Sequence, residues 1–448
     1  MNTYTLTHTD EGYTNPTPVT NYAGADAILL RLPNGPMSGL TLKSVEHTVN
    51  RLFPKAVKEV AQDGDIVALI EGVIPAAYYE ALEAIEKSRT FSCAVDRKAF
   101  SKALAVVGKA IWGRATLPIL HNVLLEMHDG TLSVSATDLE LGIVVEMPAQ
   151  GHNGRTTIPC KDLAAMIRTF KDDVLVFHAD YMDHFTIRGS REASMHGLPA
   201  DEYPVIPLCK VRKGTVKAAD LSEVLKRCLV AASFDETRAR LTGLNLIAEN
   251  KRLRAVATDT HRLSMMDTPY AGKDFNCIVP HRALKLLPEL VTGDVFLDVS
   301  DDQFGAEWRI GEMTVRFVNR QIEGVFPNYH KVIPGSADHK FHVNGLELKE
   351  ALRTIALVVK ENANKVVFDF VPGGIRLSAH STKFGDAEAT VWSDGDFGGQ
   401  IAVNADYLIQ GLHDEQYELW YTAANQPIAL FGTHTYILMP MQLGQEEP

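Results

Sequence analysis

No stretch of the chain approaches the ~20 consecutive apolar residues that a membrane-crossing helix requires, and the first ten residues lack the basic start and apolar core of a signal peptide. The expected location is cytoplasmic. Cysteine is scarce. Its five copies (Cys93, Cys160, Cys209, Cys228 and Cys277) are odd in number, widely scattered and never arranged as CxxC. That argues against a disulfide framework or a zinc site and fits a reducing compartment, with most of the thiols acting as small buried hydrophobes. Catalytic signatures are missing as well: there is no GxxxxGKS/T, no HExxH and no GxSxG. The expectation is therefore no metal, no cofactor and no catalytic residue. A positive charge balance is also lacking, the net charge being −12. That excess speaks against a nucleic-acid partner only superficially, because a basic stripe can sit on an acidic body.

What is present is ordinary globular composition, 46% hydrophobic and 22% charged, in 448 residues, enough for roughly three domains. One phrase organises it. Val95, Phe100 and Leu104 read as the end of a strand, a turn and the apolar stripe of a helix. The frame returns as Ile158, Leu163 and Ile167, and as Val216, Leu221 and Leu225. It returns again as Val279 and Leu284, as Val343, Leu348 and Leu352, and as Val403, Leu408 and Leu412. The fourth copy departs, with Leu287 and then Pro288 where the last apolar residue belongs. One match means little, but six at a spacing of roughly 60 residues indicate internal repetition.

Alternating, strand-like stretches follow the helices, with Asp129-Gly130 supplying a hairpin turn. Leu132–Ala136, Leu253–Ala257 and Ile375–Ala379 line up at about twice the shorter period, so the repeats pair into three domains of two halves each. Pro-rich exits at Glu202–Pro207 and Val325–Pro334 read as extended linkers and place the domains near 91–210, 211–336 and 337–448. Residues 1–90 stand outside the repeat, with a strand read over Gly64–Glu71, a helix over Ala76–Lys87 and no legible function.

Thr137-Asp138 and Thr258-Asp259 occupy equivalent repeat positions. They could be paired carboxylates, with His261-Arg262 as acid–base machinery, but repetition in register favours strand-ending turn caps. The helices are basic more consistently than the net charge suggests. They carry Arg97, Lys98, Lys102 and Lys109; Lys161, Arg168 and Lys171; Lys217, Lys226 and Arg227; then Arg282, Lys285, Lys349, Arg353 and Lys360. Each set alone could be the solvated face of an amphipathic helix. Together, in an acidic chain, they favour a positive surface that attracts phosphates without reading sequence.

From about residue 91 onwards the chain resembles the bacterial DNA polymerase III β subunit, the sliding clamp. The resemblance rests on Arg114-Ala-Thr-Leu-Pro-Ile-Leu-His-Asn-Val-Leu-Leu125, Ala136-Thr-Asp-Leu-Glu140 and Asp235-Glu-Thr-Arg-Ala-Arg-Leu-Thr-Gly243. It continues in Ala255-Val-Ala-Thr-Asp-Thr-His-Arg-Leu263, Phe326-Pro-Asn-Tyr329 and Tyr436-Ile-Leu-Met-Pro-Met-Gln-Leu443. These motifs occur in family order across about four-fifths of the chain.

The resemblance implies an α+β fold of three repeated clamp domains, each of two β-α-β-β-β halves. It implies a head-to-tail homodimeric ring with helices inside, sheets outside and duplex DNA through the hole. The implied partners are DNA, held non-specifically, the polymerase III α subunit, the clamp loader and other proteins carrying clamp-binding peptides. No membrane partner and no cofactor are implied. Implied DNA-facing residues are Arg114, Arg238 and Arg240, joined by Lys102 and Lys226 from the basic helices. The implied peptide cleft comprises Leu241, Thr258, His261, Arg262, Leu263, Pro327, Val332, Asn404, Tyr407, Ile437, Met439, Pro440, Met441 and Leu443. Thr260 stands where the family usually has glycine, and Ala193 where an aromatic is common at the subunit junction. Residues 1–90 have no counterpart. Two rival readings are a DNA hydrolase built on Asp138, Asp259 and His261, and a clamp-derived decoy that binds partners without encircling DNA.

Overall fold

The computed structural model describes residues 91–443 apart from 112–116, 181–182, 360–362, 382 and 396–397, together with short strands within the first ninety residues. Each repeated phrase closes a six-residue strand and opens a helix. The strands are Phe91–Asp96, Gly154–Pro159, Arg212–Lys217, Phe275–Pro280, His339–Asn344 and Gly399–Asn404. The aliphatic residue of each phrase is the penultimate residue of its strand. All six are buried, none more than 2% exposed. The helices that follow are α1 (Arg97–Val107), α2 (Cys160–Thr169), α3 (Ala218–Cys228), α4 (His281–Leu284), α5 (Leu287–Leu290), α6 (Gly345–Val359) and α7 (Ala405–Gly411).

Local chemistry sets their limits. The Asp96 carboxylate accepts from Ala99 N at 2.7 Å and caps α1. Asn404 accepts from Tyr407 N at 3.0 Å and caps α7. Pro288 splits the fourth repeat helix into α4 and α5, because proline lacks the N–H and its ring crowds the preceding turn.

Three main strands follow the helical part of each unit, so the six units share a β-α-β-β-β order, with a fourth short strand in the first (Gln150–His152) and third (Ala271–Gly272). The main pairing of each unit's first strand is with the neighbouring unit, although Phe91–Asp96 also pairs with Gln150–His152 and Arg212–Lys217 with Ala271–Gly272 of their own units. Val95 lies opposite Leu175 and Ile158 opposite Val123. Val216 lies opposite Val295 and Val279 opposite Leu244. Val343 lies opposite Tyr417 and Val403 opposite Val366. Consecutive units therefore exchange their opening strands, and neither half can complete its sheet alone. The exchange also buries the phrase, at about 1.5–3 kcal/mol per large apolar side chain. In the last pair Leu348, Leu352, Leu408 and Leu412 pack with Phe341, Phe368 and Tyr417.

The chain divides into two compact units, one of residues 1–207 and 310–316, the other of 208–309 and 317–448. Within the second, strand Arg262–Pro269 pairs antiparallel with strand Thr435–Leu438, making one eight-stranded sheet from the third, fourth, fifth and sixth repeats. The segment Val325–Pro334, expected as a bare extended linker, forms a short 3-10 turn at Tyr329–Lys331. It also packs Phe326 and Tyr329 onto Val256, Leu263, Ile278 and Ile437. The aromatic rings make the difference, since burying them offsets the cost of ordering the segment.

In the first ninety residues the backbone shows a five-stranded sheet in the order Thr17–Val19, Thr3–Leu6, Ala27–Leu32, Ile66–Glu71, Val57–Val60. The strand expected there is thus found; the expected helix over 76–87 lies outside the described residues.

Candidate peptide cleft and DNA-facing surface

A tight turn between strands Arg252–Thr258 and Arg262–Pro269 carries the first residues of the candidate cleft. Asp259 Oδ1 accepts from the backbone N of His261 at 2.9 Å and of Arg262 at 3.0 Å. The Thr258 hydroxyl donates to Arg262 O at 2.7 Å and accepts from Thr260 N at 3.2 Å. The earlier copy is the same device: Asp138 Oδ1 accepts from Glu140 N and Leu141 N, and the Thr137 hydroxyl donates to Leu141 O. Both aspartates are engaged as caps, as the repetition suggested, and the hydrolase reading loses its carboxylates. Each turn holds a non-glycine residue at positive φ, Leu139 at 81° and Thr260 at 79°.

The turn aims Arg262 inward. Its Nε meets Asp259 Oδ2 at 2.9 Å and its Nη1 donates to Gln410 Oε1 at 2.8 Å. Its guanidinium lies 4.2 Å from the centre of the Tyr407 ring. Tyr407 is positioned in turn by the Asn404 cap and by Tyr436, whose hydroxyl donates to Tyr407 O at 2.6 Å. The last strand completes the arrangement. Leu263 pairs with Ile437, Met439 N donates to His261 O at 2.8 Å, and Met441 N donates to Ala402 O at 2.7 Å.

Thr258, His261, Arg262, Asn404, Tyr407, Met439, Pro440 and Met441 are thus brought into one neighbourhood by backbone and side-chain bonds. Leu241, Leu263 and Ile437 are at most 7% exposed, and Leu263 and Ile437 pack in one cluster with Phe326 and Tyr329. Val332, Met439 and Leu443 remain exposed, as does Pro327. Gln410, which orients the Arg262 fork, was missed; nothing in its sequence context separates it from any other helix glutamine.

On the basic side, Lys102 and Lys226 project from α1 and α3 as exposed side chains. Arg238 and Arg240 are exposed on the 3-10 segment Glu236–Leu241, and Arg240 Nη1 donates to Val325 O at 3.3 Å. Arg114 lies outside the described residues. Two members of the basic set are half-buried and bonded to other parts of the protein. Arg227 bonds Glu223 and Asp414, and Lys349 donates to Leu412 O, with burial lowering its pKa. A lysine or arginine on a helix flank can reach either way, and the sequence does not say which.

Sequence patterns of the DNA polymerase III beta subunit match the chain in three consecutive pieces: the N-terminal domain at residues 91–207, the central domain at 215–328 and the C-terminal domain at 330–442. The chain belongs to the DNA polymerase III beta subunit family. The beta sliding clamp of Synechocystis sp. is 31% identical over 386 residues, spanning 77% of this chain and 97% of that protein. The Escherichia coli beta sliding clamp is 26% identical over 366 residues, spanning 78% and 99%. Among solved structures, the beta sliding clamp of C. crescentus superposes with a TM-score of 0.73 at 28% identity, covering 79% of this chain and all of that one. The chain is a DNA sliding clamp, a processivity factor without catalytic chemistry of its own. Among the described residues no helix is long and apolar enough to cross a membrane.

Proposed function

We propose that this clamp works in the cytoplasm as a head-to-tail homodimer that encircles duplex DNA and tethers a replicative polymerase to its template. The domains would run near 91–210, 211–336 and 337–448. One observation supports closure more than any other. The sheet carrying Phe91–Asp96 ends at edge strand Glu192–His196, and the sheet carrying Lys365–Val371 ends at edge strand Gly385–Trp392. Two different open edges invite a heterologous contact, and a second such contact closes a two-membered ring. Ala193 sits on the first edge, where the family favours an aromatic.

Lys102, Lys226, Arg114, Arg238 and Arg240 are assigned to the DNA side, where dispersed cations hold phosphates loosely and permit sliding. The cleft of Thr258, His261, Arg262, Tyr407, Met439, Pro440 and Met441, with Pro327, Val332, Asn404 and Leu443 at its margins, is assigned to partner peptides. Leu241, Leu263 and Ile437 support it from below. Methionine walls repack around different ligands, while the fixed Arg262 fork keeps the floor rigid. Tethering then acts by effective concentration: a polymerase bound by its peptide to a ring that stays on DNA rebinds before it escapes. The Bartonella birtlesii clamp, 26% identical with a TM-score of 0.72, has been solved bound to griselimycin. A ligand-binding relative of this fold is consistent with the assignment.

Fluorescence anisotropy with a polymerase-derived peptide tests it. Met441→Ser is expected to weaken binding about tenfold while the dimer survives in analytical ultracentrifugation, the loss corresponding to about 1.4 kcal/mol. Unchanged affinity would remove the cleft assignment, and a monomer at micromolar concentration would favour the decoy.

A further inference from the structure

The first half of the Val325–Pro334 segment lines a groove of about 730 Å³. Its floor is one face of two paired strands, where Asn245 lies opposite Ile278 and Ile247 opposite Asn276. Its wall is the segment that runs from Arg320 into Tyr329, fixed to the sheet edge by Ile322 N donating to Ile278 O at 2.8 Å.

Two independent features mark this groove as more than a surface irregularity. Asn245 lines it and is only 3% exposed, yet its Oδ1 has no hydrogen-bond partner among the described residues. A buried acceptor left unpaired costs on the order of 1–3 kcal/mol, so its retention suits a ligand that donates. The charges lining the groove are also one-sided. Glu249, Asp301, Asp302 and Glu323 contribute four carboxylates, against the single guanidinium of Arg320, which sits 4.0 Å from Glu323. Ile247, Ile322 and Phe326 add apolar wall between the charges. Pro327 lines this groove and is also assigned to the cleft, so the two depressions share a wall.

We propose that this groove holds a basic, extended segment flanking the partner peptide's apolar core, with a backbone or side-chain N–H of that segment donating to Asn245 Oδ1. The proposal rests on the cleft being the partner site. It adds a second point of recognition, read by charge, that discriminates among partners sharing the same apolar core.

Two fluorescein-labelled peptides test it. Both carry a Leu-Leu-Phe core, one flanked on each side by lysines and the other by serines. Each is titrated against the full chain and against the groove variant Glu249→Gln/Asp301→Asn/Asp302→Asn, whose folding is checked by circular dichroism. The lysine peptide is expected to bind about fivefold tighter than the serine peptide at ~0.1 M salt, an advantage that shrinks as salt rises. The groove variant should lose that advantage while binding the serine peptide as before. Asn245→Leu should weaken the lysine peptide while raising the Tm, since it removes the unpaired oxygen. An unchanged lysine advantage in the groove variant, or no advantage in the parent, overturns the proposal. Failure of the serine peptide alone to bind counts against the cleft. In that case the groove stands only if the lysine peptide still binds and loses affinity in the groove variant. Failure of both peptides overturns both sites.

Discussion

Arg227 Nη1 donates to Asp414 Oδ1 at 2.5 Å, joining α3 to the loop that follows α7. The two side chains are only 11% and 10% exposed. Thr433 donates to the same carboxylate through its backbone N and its hydroxyl, and His434 Nε2 bonds Gly411 O at 3.0 Å. This buried polar joint lies between the repeats whose strands also pair through Leu263 and Ile437, so backbone and side chains reinforce the same contact.

Removing either partner strands the other charge. Arg227→Ala or Asp414→Ala should each cost about 3–5 kcal/mol of stability. The double variant should cost clearly less than the two combined. Denaturant unfolding followed by circular dichroism measures all three; additive losses would mean the pair is not coupled.

The same joint makes stability depend on pH. Burial, followed by the charge of Arg227, lowers the His434 pKa from 6.5 to about 4. Burial also lowers that of His413. At Asp414 burial pushes upward, but the Thr433 and Arg227 bonds outweigh it and the net shift is downward. For a histidine with a depressed folded pKa, the unfolded chain binds more protons below pH 6.5. The stability contribution is therefore complete above pH 6.5 and is lost as pH falls towards 4, by about 3 kcal/mol for His434. His434→Gln should flatten the slope of the unfolding free energy between these limits, whereas an unaltered slope would place its origin elsewhere.

Thr260 carries φ of 79°, a conformation that residues other than glycine and asparagine rarely accept. Thr260→Gly should stabilise the turn by about 0.5–1 kcal/mol, the relief of strain exceeding the extra freedom gained by the unfolded chain. Leu139→Gly, at the matching turn, should behave alike. Thermal melting is sufficient to check both, and a lowered Tm would show that the threonine side chain contributes more than its backbone costs.

Thiol reactivity follows burial. Burial raises Cys93 and Cys228 to about 12 and Cys160 to about 11, and pushes Cys277 up as well. Cys209 alone is only partly covered. A chromogenic disulfide reagent at pH 8 should titrate about one thiol in the native protein and all five in denaturant. Rapid reaction of several native thiols would contradict the packing described.

Much of this was legible beforehand. The phrase aliphatic–four–apolar located every opening strand and every repeat helix, because a buried strand end and a helix face obey simple periodicities. The break at Pro288 was visible for the same local reason. The exchange of opening strands was not, since Val95 and Leu175 are brought together by chain topology rather than by any local pattern. In the proposed cleft, the resemblance supplied Arg262 and Tyr407 but not the Gln410 contact that fixes the guanidinium. The direction of Arg227 was equally hidden, as its partner lies 187 positions away in sequence.

The central claim is topological, and retention on DNA tests it most directly. The clamp is loaded onto a nicked circular plasmid with a clamp loader, washed at high salt, and the circle is then cut once with a restriction enzyme. The account predicts that the clamp stays on the circle through the wash and is lost within minutes of linearisation, by sliding off the ends. Loss from circle and line alike at high salt, while a known clamp is retained in parallel, would contradict encirclement.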